Sequence, residues 1–279
     1  MRVHEASDNT FKITLREILL TILHINLIQL PFPLIMSKIK LLSHNLHTFY
    51  KSIKNLIIDG LFPIRCLGCG TYDHWICNKC HTTLPILTEQ HCPICKKHIT
   101  HNGETCFECL QKNTSIDGVF IASHYSDTLL KKAIHYYKYR FVKDLSEPLA
   151  LLLAQSLQNS NLPAPDIIIP VPLHKRRLRW RGFNQAEELA YALDLQIPII
   201  TDILIRMRYT KPQARTKNKN NRKNNLSNAF HISHTETIKQ KNILLIDDII
   251  TTGTTLEECA SVLKKSGAKN VYCLVLARE

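Results

Sequence analysis

The sequence predicts an α/β fold with a parallel sheet, preceded by a small domain that folds around metal ions. Three observations support this prediction. Residues 243–246 are a continuous apolar run that ends in two acids and a threonine-rich turn, which is typical of a strand buried on both faces of a parallel sheet. Residues 166–171 form a second apolar run. Upstream of both runs, eight of the ten cysteines lie in four C-x-x-C pairs.

Length and charge limit the function classes. The 279 residues are enough for two domains, and their apolar content is ample for a core. The formal net charge of +13 indicates an anionic ligand or partner.

Residues 1–59 are interpreted as a helical amino-terminal extension, and the first 35 of them as an over-called start. Polar residues and prolines interrupt the apolar segment 15–36, so no stable membrane span is expected. The segment also lacks a small-residue cleavage site after a basic start, which disfavours a signal peptide.

Residues 60–112 are expected to form the metal-binding domain. Paired cysteines without a clear secretory signal indicate zinc in a reducing cytoplasm rather than disulfides. The eight thiols suffice for two structural zinc sites of four cysteines each, and zinc binding would supply the folding energy. Pairing of neighbouring C-x-x-C units is the simpler arrangement, and a cross-braced arrangement stays open. The predicted ligands are Cys66, Cys69, Cys77, Cys80, Cys92, Cys95, Cys106 and Cys109. Histidines of the same region are expected at the surface, namely His74, His81, His91, His98 and His101.

Residues 113–279 are expected to form the α/β domain. The first predicted elements are a strand at 115–126, helices at 129–138 and 145–157, and the strand at 166–171. A basic loop at 175–181, a helix at 184–193 and a polar loop at 206–228 follow. The strand at 243–246, a helix after residue 255 and a last strand at 270–276 complete the order.

The strongest site prediction lies directly after residues 243–246, at Asp247, Asp248 and the turn that follows. Ligands of parallel sheets bind at the carboxyl ends of strands, where the next helix points its free backbone N–H groups at an anion. The turn is therefore predicted to bind a phosphate, and Gly253 allows a close backbone approach. The two acids would repel a bare polyphosphate but accept hydrogen bonds from vicinal hydroxyls. A ribose 5-phosphate satisfies both halves of this site.

The stretch resembles the loop that binds phosphoribosyl pyrophosphate (PRPP) in type I phosphoribosyltransferases. The shared features are an apolar strand, two acids, two variable positions and Thr-Thr-Gly-Thr-Thr. The resemblance implies a catalytic role for Asp247 and Asp248, which hold the ribose hydroxyls and are expected to be unpaired. It also implies that the 5-phosphate binds to Thr251, Thr252, Gly253, Thr254 and Thr255.

Two basic segments are assigned to the same ligand. The loop at 175–181 follows a strand, so it is expected to face the turn and neutralise a pyrophosphate through Lys175, Arg176 and Arg181. The alternative is a solvated positive loop. Residues 206–228 contain eight Lys or Arg and no acid. They fit the flexible loop that closes over the sugar in type I enzymes, and alternatively they bind a nucleic-acid backbone. Aromatic residues that would stack on bases, unless they pack in the core, are Trp180, Phe183 and Tyr209.

The combination resembles the ComF family of competence proteins over roughly residues 60–279. Besides the cysteines and the PRPP loop, the resemblance rests on Lys138 and Tyr139, the PVPL block at 170–173, the RGFNQ block at 181–185, and Gln213, Arg222, Asn225, Ala229 and Phe230. It implies a double zinc ribbon followed by a type I phosphoribosyltransferase fold. It further implies Mg²⁺ bound with PRPP, a cytoplasmic location at the inner face of the inner membrane, and a role in natural transformation, where single-stranded DNA crosses that membrane. The competence helicase is the implied protein partner.

Three functional hypotheses follow. The chain is a phosphoribosyltransferase with an unknown acceptor, or a non-catalytic adaptor that binds PRPP or single-stranded DNA, or a zinc-ribbon adaptor with the sheet as scaffold. The intact acids and turn favour the first two. An acceptor pocket is expected from the zinc region or from residues 115–140.

Overall fold

The computed structural model describes residues 63–208, except 113, 159 and 161, together with residues 229–279. Residues Ile64–Glu279 form one unit that contains both the cysteine-rich region and the sheet. The predicted amino-terminal extension and the flexible-loop residues Gln213, Arg222 and Asn225 lie outside the described residues. Within the described residues, no helix is long and apolar enough to cross a membrane.

The cysteine-rich region comes first and contains a short helix, α1 (Asn78–His81). The α/β region opens with β1 (Gly118–His124), α2 (Thr128–Tyr139), α3 (Ser146–Gln158) and β2 (Ile167–Pro170). It continues with α4 (Lys175–Arg181), α5 (Gln185–Ala192), β3 (Leu204–Arg206) and β4 (Phe230–Ile232). The last elements are β5 (Asn242–Ile250), α6 (Thr254–Lys265) and β6 (Asn270–Arg278).

The main sheet has the strand order β1-β6-β5-β2, and each neighbouring pair is parallel. The central strand β5 pairs with β6 from Asn242↔Asn270 to Ile250↔Arg278. The strands β3 and β4 form a separate antiparallel pair on either side of the basic polar segment. The predicted parallel α/β fold is therefore confirmed.

The residues of β5 explain why the strand reads as a continuous apolar run. Leu244 and Ile246 pack in the core formed with α2, α3 and α5, whereas Ile243 and Leu245 pack in the core formed with α6. Side chains alternate between the two faces of a strand, so a strand covered on both faces needs apolar residues at every position.

The cysteine-rich region covers the edge of the sheet at β1. The side chain of Gln90 accepts a hydrogen bond from the backbone N–H of Ile121 at 2.9 Å and donates one to its carbonyl at 3.1 Å. The N–H of Leu87 donates to the carbonyl of Ala122 at 2.9 Å. An uncovered strand edge would expose unpaired backbone groups, so these contacts protect β1.

Two sequence predictions need correction. The strand predicted at 243–246 extends through Ile250, so the two acids lie within β5 rather than after it. The basic loop predicted at 175–181 is the helix α4. Its N–H of Arg176 donates to Nδ1 of His174 at 3.2 Å, and the helix ends at Gly182, whose φ of 85° is left-handed. Lysine, arginine and leucine are good helix formers, and their intrinsic propensity prevails over the charge repulsion within this segment.

Candidate functional site

The eight predicted zinc ligands form two groups of four cysteines. Cys66, Cys69, Cys77 and Cys80 make the first, and Cys92, Cys95, Cys106 and Cys109 make the second, with all sulfur atoms of a group within 4.8 Å of one another. Neighbouring C-x-x-C pairs are thus combined sequentially, and the cross-braced alternative is wrong.

The sulfur positions fit zinc. The Cys69–Cys77 and Cys95–Cys106 sulfur distances are 3.6 and 3.7 Å. Tetrahedral zinc with bonds of 2.3 Å to sulfur requires sulfur separations of about 3.8 Å. At Cys66, burial opposes the thiolate, but backbone hydrogen bonds, led by that from Cys69, outweigh it and lower the pKa to about 6. The donor set therefore suits two structural zinc ions, which supply folding energy to loops that have little core of their own.

One histidine of this region, His81, differs from the surface position expected for it. His81 is buried, and its Nε2 lies 2.9 Å from the carbonyl oxygen of Pro148 at the start of α3. His98 remains exposed, with Nδ1 3.3 Å from the sulfur of Cys106. His81 thus helps to dock the first ribbon on the α/β region.

The two acids of the predicted PRPP site lie at consecutive positions near the carboxyl end of β5, so their side chains point to opposite faces of the sheet. The carboxylate of Asp248 is buried and forms an ion pair of 2.9 Å with Nζ of Lys138 in α2. Burial lowers the pKa of Lys138, but the charge of Asp248 and its hydrogen bond outweigh burial and raise it overall. The expectation of two unpaired carboxylates is therefore wrong for Asp248, because a buried carboxylate requires a counter charge.

Asp247 has a different environment. Its Oδ1 accepts a hydrogen bond from the N–H of Asp248 at 2.8 Å, and it forms no ion pair with any residue that the structure describes. Burial, followed by the charge of Asp248, raises its pKa to about 7, although Lys138 and Arg206 act in the opposite direction. Asp247 is thus an acid whose ionised form is costly until a ligand stabilises it.

The predicted phosphate turn leads directly into α6. Thr251 and Thr252 are exposed, and the Oγ1 atoms of Thr252 and Thr254 lie 2.9 Å apart. Gly253 precedes the helix with a left-handed φ of 82° and has no side chain to cap it, and the N–H of Thr254 donates to Oγ1 of Thr252 at 3.5 Å. The first turn of a helix leaves backbone N–H groups without intrahelical acceptors at its positive dipole end, which is what the predicted phosphate site requires.

The three residues predicted to bind pyrophosphate lie in two different environments. Arg181 lies at the end of α4, with its Nη1 hydrogen-bonded to Oε1 of Gln185. Burial lowers the pKa of Arg181, and the nearby charge of Asp248 partly offsets this effect. Its Nε and the Nε2 of Gln185 are buried donors that have no acceptor among the residues that the structure describes. Lys175 and Arg176, at the start of α4, are exposed instead.

The aromatic residues named as base-stacking candidates also separate. Phe183 is buried against Tyr137, with ring centroids 5.5 Å apart, so it belongs to the core. Trp180 is 61% exposed and meets the ring of Phe141 edge-on at 4.9 Å. Tyr209 lies outside the described residues.

Sequence reasoning did not assign site roles to two cations beside the acids. In the sequence, Lys138 contributes only to the family resemblance, and Arg206 is only the first residue of the polar segment 206–228. Burial lowers the pKa of Arg206, and Asp247 is among the charges that oppose this effect. No local pattern links either cation to the acids, because their proximity depends on how α2 and β3 pack against the sheet.

A cavity of about 340 Å³ lies between the second ribbon and the sheet, in the region where an acceptor pocket was expected. Gln90, Asn102, Phe120 and Ser156 are among its lining residues. Ser156 lies near the end of α3, which connects two parallel strands and so runs back towards their amino ends. This cavity is therefore on the side of the sheet away from the acids.

Comparisons with known proteins identify two domain families and several relatives. The phosphoribosyl transferase domain family matches residues 179–279, and the double zinc ribbon domain family matches residues 57–110. Competence protein F of Haemophilus influenzae is 31% identical over 230 residues, which are 78% of this chain and 99% of that protein. DNA utilization protein YhgH of Escherichia coli K12 is 32% identical over 214 residues, 72% of this chain and 90% of that protein.

A third relative and two solved structures extend this set. Competence protein ComFC of Streptococcus pneumoniae is 31% identical over 212 residues, 74% of this chain and 89% of that protein. The allosteric regulatory enzyme of purine biosynthesis is 18% identical with a TM-score of 0.35 and covers 51% of this chain and 30% of its own. A purine phosphoribosyltransferase from Pyrococcus horikoshii is 23% identical with a TM-score of 0.30 and covers 48% of this chain and 73% of its own.

Proposed function

The chain belongs to the ComF family of competence proteins, and from that premise we propose that it binds PRPP and acts in the uptake of single-stranded DNA across the inner membrane during natural transformation. Relatives that are competence and DNA utilization proteins support this role. The protein works in the cytoplasm at the inner face of that membrane, with the competence helicase as its partner. Its chemical class is a phosphoribosyltransferase whose acceptor is unknown.

One observation carries the PRPP assignment. Asp247 and Asp248 lie near the carboxyl end of the central strand β5, and the threonine turn that opens α6 follows the strand directly. Carboxylates accept hydrogen bonds from hydroxyls, whereas a helix amino terminus binds phosphate. The acids and the turn are only a few residues apart along the chain, which suits a ligand that carries hydroxyls and a phosphate on one sugar.

Each part of the site has a separate task in this proposal. Asp247 and Asp248 hold the ribose hydroxyls, and the turn from Thr251 to Thr255 binds the 5-phosphate. Arg181 donates to the pyrophosphate. Its Nε is suited to that role because it has no acceptor among the described residues, and a buried donor without an acceptor is costly. Mg²⁺ bound together with PRPP would neutralise negative charge on the pyrophosphate.

The test is calorimetric titration of the zinc-loaded protein with PRPP in the presence of Mg²⁺. Asp248→Ala is expected to abolish binding. Asp247→Asn is expected to weaken binding at least tenfold without loss of folding, because an amide is a poorer acceptor for two hydroxyls than a carboxylate. Glu236→Gln is the matched control, since Glu236 is exposed and belongs to a turn that precedes β5 at the other end of the sheet. Wild type without measurable PRPP binding would exclude the proposed ligand.

A non-catalytic adaptor that binds single-stranded DNA is the second candidate function. The exposed Trp180 and Phe141 pair favours it, because this pair adjoins the basic helix α4 and bases stack on exposed aromatic rings. The segment 209–228 adds lysines and arginines to the same chain, outside the described residues. Neutralising four of these residues is expected to flatten the salt dependence of DNA affinity, namely Lys217, Lys219, Arg222 and Lys223. An unchanged slope in a filter-binding series would remove that segment from the DNA contact.

A further inference from the structure

The second zinc ribbon contacts the predicted phosphate turn directly. The N–H of Lys96 donates to the carbonyl of Cys92 at 3.0 Å, which closes the metal-binding turn and places Lys96 just beyond it. Nζ of Lys96 then donates to the carbonyl oxygen of Thr251 at 3.4 Å. An ammonium group from the ribbon thus lies at the first residue of the turn.

The connection is reinforced at the start of α6. Where the chain leaves the ribbon, Oγ1 of Thr114 donates to Glu257 at 2.6 Å and the N–H of Ser115 donates to the same carboxylate at 2.7 Å. Glu257 is in the first turn of α6, directly after the threonine turn. The second ribbon therefore contacts the threonine turn through Lys96, and the residues that directly follow the ribbon contact the first turn of α6.

The first ribbon is attached elsewhere. Nζ of Lys132 in α2 donates to the carbonyl of Leu67 at 2.9 Å, and His81 contacts Pro148 in α3. These contacts hold the first ribbon on the helices that cover one face of the sheet. Among the described residues, the ribbon cation that contacts the threonine turn is therefore Lys96 of the second ribbon.

The turn itself supplies hydroxyls and backbone N–H groups but no charged donor, since residues 251–255 contain only threonine and glycine. A sugar phosphate is dianionic at neutral pH, and charge-assisted hydrogen bonds to such groups are roughly twice as strong as neutral ones. We propose that Lys96 of the second zinc ribbon is a binding residue for the 5-phosphate. The inference rests on the proposed function, because it assigns a further residue to the same PRPP site.

The test compares binding of PRPP and of ribose 5-phosphate to the full-length, zinc-loaded chain in the presence of Mg²⁺. Lys96→Ala is expected to weaken binding of both ligands about three- to fivefold, the upper part of the range for one exposed charge contact. Lys97→Ala removes the same charge from the next residue and is expected to leave both affinities within about twofold. Lys96→Arg keeps the charge and is expected to retain most of the affinity. Equal zinc content in all variants confirms that the ribbon is intact.

The outcomes separate this inference from the proposed function. If wild type binds both ligands and Lys96→Ala binds them equally well, the inference is overturned and the proposed function stands. An equal loss of affinity in Lys97→Ala also overturns the inference, because the effect then comes from the overall positive charge of the ribbon and not from one contact. A loss confined to PRPP overturns the placement at the 5-phosphate, which both ligands share. Wild type that binds neither ligand overturns the proposed function and this inference together.

Discussion

Replacing Asp247 with asparagine is expected to stabilise the protein near neutral pH while it weakens ligand binding. Burial, followed by the charge of Asp248, raises the pKa of Asp247 from 3.8 to about 7. The folded protein therefore holds this proton more tightly than the unfolded chain does, and stability falls as the pH rises from about 4 to about 7. Asparagine does not ionise, so the variant escapes this loss.

The size of the effect follows from the pKa difference. A rise of about three units corresponds to up to about 4 kcal/mol at 1.36 kcal/mol per unit, and about 2 kcal/mol of this lies between about pH 5.5 and pH 7. Urea titrations of zinc-loaded wild type and Asp247→Asn across this range give the free energy of unfolding of each. The difference is expected to grow with pH in favour of the variant and to level off above about pH 7.5. Contributions from zinc are common to both proteins and cancel.

The neighbouring acid provides the matched control. Asp248→Asn makes the same chemical change one residue away, but it leaves the ammonium of Lys138 without its counter charge in a site where the two side chains are only 19% and 10% exposed. Breaking such a pair costs about 3 kcal/mol. The two substitutions therefore predict opposite signs at about pH 7.5. A destabilised Asp247→Asn, or a difference that does not change with pH, would refute the reasoning.

Two further predictions concern the turn and the zinc sites. Gly253→Ala is expected to lower the free energy of unfolding by about 1–2 kcal/mol, because its φ of 82° is strained for alanine, and to weaken binding of ribose 5-phosphate. The control is Gly267→Ala, with a φ of 97° after α6, which is expected to lose stability without loss of affinity. Equal ligand affinities in wild type and Gly253→Ala would contradict this. Cys95→Ser is expected to lose one zinc ion and to speed hydrogen exchange in β1 more than tenfold, because the second ribbon covers that strand. The control is Cys69→Ser in the first site, which is expected to lose one zinc ion but to leave β1 protected. Metal analysis and exchange mass spectrometry measure both results, and equal exchange in the two variants would disprove the covering role.

The parts of the fold that the sequence predicts are those encoded in short patterns. The apolar run of β5 and the C-x-x-C pairs each specify local structure, so the parallel sheet and both cysteine groups follow from them. The ion pair of Lys138 with Asp248 joins α2 to a strand far downstream, and no local pattern encodes it. The helix α4 is different, because its signals were present: good helix formers without glycine or proline, followed by Gly182. The high density of positive charge in this segment instead favours the interpretation as a loop.

The alternation of a strand explains why the two adjacent acids cannot be equivalent. Asp248 points to the face covered by α2, where its carboxylate forms an ion pair with Lys138. Asp247 points to the other face, where burial raises its pKa. Hydroxyls of a bound sugar would stabilise the ionised form of Asp247 that burial disfavours, so binding would lower its pKa and release protons near neutral pH. In this arrangement Lys138 already holds Asp248 in position for the ligand, whereas Asp247 gains a stabilising partner for its charge only when the ligand binds.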